Sequence, residues 1–376
     1  VYALSNLVLL TGHLGKPSAG LNPLRGQNNV QGANDSGASP IYYPGYQRVE
    51  DEAVRARYED AWGVPLSPRA GMNLNEMMKA VSHTGTIKGL FVMGEDVLMS
   101  EPDVSHLDRG VGELEALVVQ DIFLNETAKR ADVVFPAACF AEKDGTFTNS
   151  ERRVQRVRAA VPPPGEARPD WVILRDLFER CTGRSAGPDT AGAVYAEMAG
   201  MTDKFAGISY ARIDAEGGLQ WPCPTPDHPG TRYLHADGPL RGKAQLVPVR
   251  PRASFELPCA EYPLVLSTGR TLYHYNAATQ TRRVAGVTDK QDGCFIEISA
   301  VDAAALGVVE GDPIRISTRR GSVEAATHVT ERVGKGRVWM PFHFAEARAN
   351  LLTVAAGDPV TGTGEYKVCA CRIGRA

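Results

Sequence analysis

Three short, nearly continuous apolar runs constrain this chain most: Gly89-Leu90-Phe91-Val92-Met93, Ala116-Leu117-Val118-Val119 and Ala131-Asp132-Val133-Val134-Phe135. Runs of this length without polar alternation read as buried strands. Separated by polar segments such as Glu113-Leu114-Glu115 and Glu126-Thr127-Ala128-Lys129-Arg130, they predict a parallel sheet in an α/β layer. The first run gives way at its carboxyl end to Gly94-Glu95-Asp96, and the second to Gln120-Asp121. Open α/β sheets bind ligands at that end, so Gly94, Glu95, Asp96, Gln120 and Asp121 are expected nucleotide contacts. Acidic side chains there accept hydrogen bonds from ribose hydroxyls. The same residues also suit helix caps or plain solvent exposure, and the Gly-rich fingerprint of dinucleotide folds is missing nearby.

The 376 residues are enough for two or three domains with sizeable cores. With 44 acidic and 41 basic side chains the formal charge is only -3, which argues against nucleic acid or a polybasic membrane surface. Apolar stretches such as Leu7 to Leu10 and Leu114 to Val119 fall far short of the roughly 20 residues a membrane span requires, so no direct span is expected. The seven cysteines show no C-x2-C pair. Cys369 and Cys371, two apart on an expected strand, share a face and read as buried thiols, not cluster ligands. An odd, irregular set fits a reducing compartment, and hence a cytoplasmic location. The opening residues Ala3, Leu4, Leu7 and Val8 form a helical pattern with no basic leader, which reads as the C-terminal part of a longer polypeptide whose signal, if any, lies upstream.

Organisation changes twice along the chain. Residues 1–180 carry the α/β pattern. Residues 181–255, punctuated by Trp221-Pro222-Cys223-Pro224-Thr225-Pro226, read as a connector with some helix. From 256 the pattern turns to β: strands at Tyr262 to Ser267 and Cys294 to Ile298, a short helix from Val301 to Leu306 stopped by Gly307, then Pro313 to Thr318, a strand through Val329, and Arg337 to Met340. These predict a compact barrel. Before the connector, Asp170-Trp171-Val172-Ile173-Leu174 has a helical period, with Asp170 as N-cap.

Two segments stand out chemically. Leu24-Arg25-Gly26-Gln27-Asn28-Asn29-Val30-Gln31-Gly32-Ala33 has neither helical nor strand periodicity and reads as a binding loop or a surface turn: glycines admit close approach, amides donate and accept, and Arg25 offers a fork for a carboxylate or phosphate. Ser267-Thr268-Gly269-Arg270-Thr271-Leu272-Tyr273-His274 leaves a strand with hydroxyls and a guanidinium that suit a pyrophosphate, though Arg270 equally suits an interdomain carboxylate. His13 and His343 have no ligand set around them and read as structural. No nucleophile elbow or P-loop is present.

The stretch Gly12-His13-Leu14-Gly15-Lys16 through Gly20-Leu21-Asn22-Pro23-Leu24-Arg25-Gly26-Gln27-Asn28-Asn29-Val30-Gln31-Gly32 closely resembles the catalytic alpha subunit of molybdopterin-dependent formate dehydrogenases, in the dimethyl sulfoxide reductase superfamily. The resemblance extends to Met93-Gly94-Glu95-Asp96, Val119-Gln120-Asp121-Ile122-Phe123 and the C-terminal strands. It implies a Rossmann-like α/β/α domain, incomplete at its N-terminus, as residues 1–180, the connector, and a double-psi β-barrel for dinucleotide binding as residues 256–376. It further implies bis-molybdopterin guanine dinucleotide with molybdenum or tungsten, bound by Gln27, Gly94, Glu95, Asp96, Ser100, Gln120, Asp121, Asp170, Thr268, Arg270, His274, Phe342, His343, Asn350, Tyr366 and Lys367. By the same resemblance Asp170 meets the guanine edge, where a carboxylate accepts from N1-H and N2-H2, and Arg25 orients formate. No metal ligand is expected in this chain: the Cys or selenocysteine, its His neighbour and a 4Fe-4S cluster belong upstream. Implied partners are iron-sulfur and flavin/NAD-type electron-transfer subunits. A nitrate reductase-like enzyme and a non-catalytic scaffold relative are the alternatives. Asn34, where many relatives carry a small residue or Cys, is a departure from the pattern.

Overall fold

The three apolar runs become strands β1 (Gly89–Met93), β2 (Ala116–Asp121) and β3 (Val133–Pro136), paired in parallel in that order, in a computed structural model that describes residues 1–240 and 242–376. The parallel pairing matches expectation, but burial on both faces does not. Leu90, Val92, Leu117 and Val119 point into a core built with Met78, Val81, Val97, Leu98, Val104, Leu107 and Val111. The alternate residues Phe91 and Met93 are 41% and 50% exposed, and Val133 is 45% exposed. Within this unit the helices Leu74–Lys79 and Val104–Gly112 contribute to the core on one face only, so a uniformly apolar run ends up with one wet side. Asn73 and Glu76 form a reciprocal cap on the first of these helices. Gly110 in the second lies so near Ser82 Cα and the Val81 carbonyl that a Cβ would sit 2.6 Å from each.

The C-terminal strands β4 (Leu264–Gly269), β5 (Phe295–Ile298), β6 (Pro313–Ser317), β7 (Ser322–Val329), β8 (Arg337–Pro341) and β9 (Cys369–Arg375) close into a six-stranded barrel, in the order β5-β7-β6-β9-β4-β8. Pairs β5·β7 and β4·β8 are parallel and the rest antiparallel. Ile296, Ile298, Ile314, Ile316, Leu266 and Met340 fill the interior, each essentially without exposure. Burying each such side chain contributes roughly 1.5–3 kcal/mol. Between β5 and β6, helix Ala300–Leu306 starts where Ser299 Oγ accepts the Asp302 amide and stops at left-handed Gly307, φ +66°. Cys369 and Cys371 are buried on one strand as expected, and burial pushes the Cys371 thiol up to about 12.

The chain forms two units that interleave: Val1–Gly71 with Ala138–Pro251, and Met72–Ala137 with Arg252–Ala376. In the first, the stretch read as a connector supplies helices Ala191–Gly200 and Tyr210–Glu216, and strand Leu219–Gln220, which joins the hairpin Gly145–Thr148/Arg153–Val157. Tyr195, Phe205, Ile208, Ile213 and Trp221 from that stretch pack with Val154 as a core. The loop reading of residues 24–33 also needs correction. A short helix, Val30–Asp35, begins inside it, because Asn29 Oδ1 accepts the Thr148 amide at 3.0 Å and both Gln31 and Asp35 are buried. Asp170 is the first residue of helix Asp170–Thr182, and Pro169 rather than Asp170 occupies the N-cap position. Among the described residues no helix is long and apolar enough to cross a membrane.

Candidate functional site

At the carboxyl ends of β1 and β2 lies a cavity of about 160 Å³, lined by Gly94, Glu95, Asp96, Ser100 and Asp121 and also by Tyr275, Asn276, Ala277, Thr279 and Gln280. Gly94, at φ +64°, turns the chain out of β1 in a conformation that side chains rarely adopt. Asp96 is buried; its Oδ1 accepts from the Thr127 amide and hydroxyl at 3.0 and 2.7 Å, and its Oδ2 from the Glu126 amide at 3.3 Å. Asp121 accepts from the Ile122 and Phe123 amides and from Asn125 Nδ2. Burial raises the pKa of both carboxyls. Ser100 Oγ donates to Glu95 Oε1 at 2.7 Å. Glu101 is buried, pushed up to about 7 by desolvation and then by the Glu95 charge, and its Oε2 has no partner. Gln120 is wholly buried. An acceptor-rich wall of this kind suits the hydroxyl donors of a sugar and repels phosphate.

The same unit answers with cations elsewhere. Arg270 and Lys367 both lie over the Phe342 ring, at 5.0 and 5.7 Å from its centroid. Lys367 Nζ donates to the Thr268 carbonyl at 2.8 Å, and its pKa is lowered by burial and then by the Arg270 charge. Among the described residues neither cation forms an ion pair. Two unbalanced positive charges and a neighbouring buried Thr271 hydroxyl without a partner make an environment that an anion would stabilise.

The loop carrying Arg270 is held by histidines that point inward. His343 Nε2 accepts the Thr271 amide at 2.8 Å and Nδ1 donates to the Asn276 carbonyl, so the ring is neutral; burial pulls its pKa down to about 4. His274 has both nitrogens engaged, by Gln291 O at 2.7 Å and Thr281 Oγ1 at 3.1 Å. A Cβ on Gly269 would stand 2.7 Å from the Trp339 indole nitrogen, so this strand end has no room for a side chain. Asn350 Nδ2 donates to the Leu98 and Glu101 carbonyls, and the Tyr366 carbonyl accepts from Thr268 Oγ1.

In the first unit Arg25 is exposed and donates from Nε and Nη2 to Gln31 Oε1 at 3.2 and 3.1 Å, with Gln27 half-buried on the same loop. Asp170 is bonded to Lys143 Nζ. The larger cavity of this unit, about 750 Å³, is lined by aromatic and apolar side chains including Tyr43, Trp62, Trp171 and Phe178, and by none of the expected site residues. Sequence reading missed Lys143, Asp35 and Glu101, and named Gln31 and Thr271 only as members of longer binding segments; of the three missed, Asp35 alone carried a signal, its helical i, i+4 spacing from Gln31. Among the described residues no cluster of His, Cys, Asp and Glu is arranged to hold a metal ion.

A guanine dinucleotide carrying a pterin presents sugar hydroxyls, a pyrophosphate and an amide-like base edge. The acidic cavity, the unbalanced cation pair and the orphaned buried polar atoms fit that inventory. Comparison with known proteins agrees. Residues 1–180 match the family model described as molybdopterin oxidoreductase, and residues 264–370 match the molybdopterin dinucleotide binding domain. The chain is 47% identical over 377 residues to F420-dependent formate dehydrogenase 2 subunit alpha of Methanococcus maripaludis, covering 99% of this chain and 55% of that protein. It is 37% identical to the assimilatory nitrate reductase catalytic subunit of Bacillus subtilis, over 98% of this chain and 53% of the relative. It is 36% identical to formate dehydrogenase H of Escherichia coli, over 99% and 53%. Acetylene hydratase from Pelobacter acetylenicus shares the fold at a TM-score of 0.65 and 15% identity, over 92% of this chain and 52% of that one. The chain spans about half the length of the curated relatives it matches.

Proposed function

Because this chain belongs to the molybdopterin oxidoreductases of the dimethyl sulfoxide reductase superfamily, we propose that it is the cofactor-cradling and substrate-orienting part of a formate dehydrogenase. When bound, the molybdenum or tungsten of a bis-molybdopterin guanine dinucleotide supplies the acceptor for the two electrons that formate loses as it becomes carbon dioxide and a proton. Glu95, Asp96, Ser100 and Asp121 take the sugar hydroxyls; Arg270 and Lys367, with Thr268 and Thr271, take phosphate oxygens. Asp170 accepts from the guanine N1-H and N2-H2 edge, in competition with Lys143. The six-stranded barrel is read as double-psi, and β1 to β3 as part of a Rossmann-like layer.

The observation that carries the reading is the Arg25 guanidinium. Its side-on edge, Nε and one hydrogen of Nη2, is spent on Gln31, and its end-on edge, Nη1 with the second hydrogen of Nη2, meets no other protein acceptor among the described residues. That fork matches the two oxygens of a one-carbon carboxylate and fixes where its C-H bond points. The product is neutral, so the grip relaxes as the reaction completes. Electrons leave toward iron-sulfur and flavin-type partner subunits, and the name of the Methanococcus relative favours F420 over NAD as the final acceptor. We place it in the cytoplasm on the reducing compartment that its irregular cysteine set fits.

The test is formate-dependent dye reduction by the full-length enzyme, with metal and guanine nucleotide quantified on the same sample. Turnover with formate, lost in Arg25→Ala and not restored in Arg25→Lys, supports the assignment. Nitrate-dependent dye oxidation with no formate activity would favour the reading suggested by the nitrate reductase relative.

A further inference from the structure

Arg25 is exposed, but one edge of its guanidinium is held by a single amide. The acceptor on its side-on edge, Gln31 Oε1, belongs to an amide that is only 8% exposed and is gripped from behind. Gln31 Nε2 donates to Asp35 Oδ1 at 2.7 Å and to the Tyr46 hydroxyl at 3.0 Å. The Tyr46 hydroxyl in turn donates to Asp35 Oδ1 at 2.8 Å, and Trp221 Nε1 donates to Asp35 Oδ2 at 2.7 Å. Asp35 is 2% exposed. A carboxylate only accepts, so the amide nitrogen must face Asp35 and the amide oxygen must face Arg25.

We propose that Gln31 and Asp35 are positioning residues for the substrate anion: Asp35, fixed by Tyr46 and Trp221, sets the Gln31 amide, which pins the side-on edge of Arg25 and presents its end-on edge to the carboxylate. This rests on the reading that Arg25 binds formate. The choice of an amide as the middle member has a physical reason. A carboxylate in direct contact with Arg25 would be a resident competitor for the substrate, whereas a neutral amide fixes the guanidinium plane and leaves its charge to the incoming anion. The buried negative charge of Asp35, one residue removed, polarises the amide toward Arg25 and still leaves the fork open. A long, exposed Arg would otherwise lose rotamer freedom each time it closed on formate; holding it in advance removes that cost.

The experiment is a double-mutant cycle on formate kinetics in the full-length enzyme, using Gln31→Ala, the isosteric Gln31→Glu, Arg25→Ala and the doubles. Gln31→Ala is expected to lower kcat/KM for formate about 10- to 100-fold, mostly through KM, as for a lost hydrogen bond to a charged group. Gln31→Glu keeps the shape but supplies the competing carboxylate, and is expected to raise KM as well. Neither substitution should add to the loss in Arg25→Ala. A second readout is the rise in unfolding midpoint that saturating formate produces, which should shrink in both Gln31 variants while metal content stays near that of the parent; the formate-free midpoint of Gln31→Glu should itself fall, because its second oxygen faces Asp35 Oδ1. If Arg25→Ala cripples turnover while both Gln31 variants keep the parent KM, or if their losses multiply with that of Arg25→Ala, the positioning role is wrong and the Arg25 assignment survives. If Arg25→Ala itself leaves formate turnover intact, the underlying reading falls and the positioning role goes with it.

Discussion

Arg25 and the Arg270–Lys367 pair are both cationic and both lack a directly paired carboxylate, yet the chain surrounds them in opposite ways. Behind Arg25 stands a buried carboxylate, Asp35, reached through the Gln31 amide. Behind Arg270 and Lys367 there is an aromatic ring and a second positive charge. A cation backed by a screened negative charge grips an anion moderately and lets go. Two cations pressed together gain from any anion that stays. Under the proposed function, the difference teaches that one site is arranged for turnover and the other for retention, as a substrate contact and a cofactor contact would require.

The largest expected effect separates the two directly. Arg25→Ala should cost about 10²- to 10³-fold in kcat/KM for formate, the loss of two charge-assisted hydrogen bonds, with guanine nucleotide content unchanged. Steady-state kinetics on the full-length enzyme reads it.

Next comes the staple under the retention site. His343 titrates near 4, below its ordinary 6.5, because burial disfavours the charged ring. Its depressed value means that its contribution to stability is fully present above pH 6.5 and is lost as the pH falls through about 4, up to about 3 kcal/mol. His343→Gln, which can still accept from Thr271 and donate to Asn276, should flatten the fall in unfolding midpoint between pH 6.5 and 4. An unchanged slope would assign the acid sensitivity to other groups.

Removing one cation of the pair should be gentler. Lys367→Ala is expected to weaken dinucleotide retention about 10-fold and to reduce its salt dependence, because Arg270 remains. The smallest change is expected from Asp170→Asn: a few-fold loss of guanine nucleotide, limited because the Lys143 contact already draws on the same carboxylate. Nucleotide released on acid treatment, measured after graded salt washes, reports both.

Legibility in the sequence followed contact range. Strands β1 to β3 and the barrel strands could be read because five or so consecutive residues carry the whole signal. The helix Val30–Asp35 could not, since what fixes it is Thr148, 119 positions from Asn29, and Trp221, 186 positions from Asp35. Arg270 was singled out by the chemistry of its loop and by resemblance, and Lys367 by resemblance alone, but nothing local says that they share the face of Phe342. The acidic ends of β1 and β2 were legible as polar residues closing apolar runs. That Asp96 and Asp121 spend their oxygens on backbone amides was not, because a carboxylate at a strand end looks the same in sequence whether it faces a ligand or its own loop.

The most direct test of the division between turnover and retention is the guanine nucleotide content of full-length Arg25→Ala beside that of the Arg270→Ala/Lys367→Ala double variant. A full complement in the first, with formate turnover gone, and a depleted second are the results this arrangement of charges predicts. Equal depletion in both, or a double variant that keeps its nucleotide through high-salt washing, would contradict it.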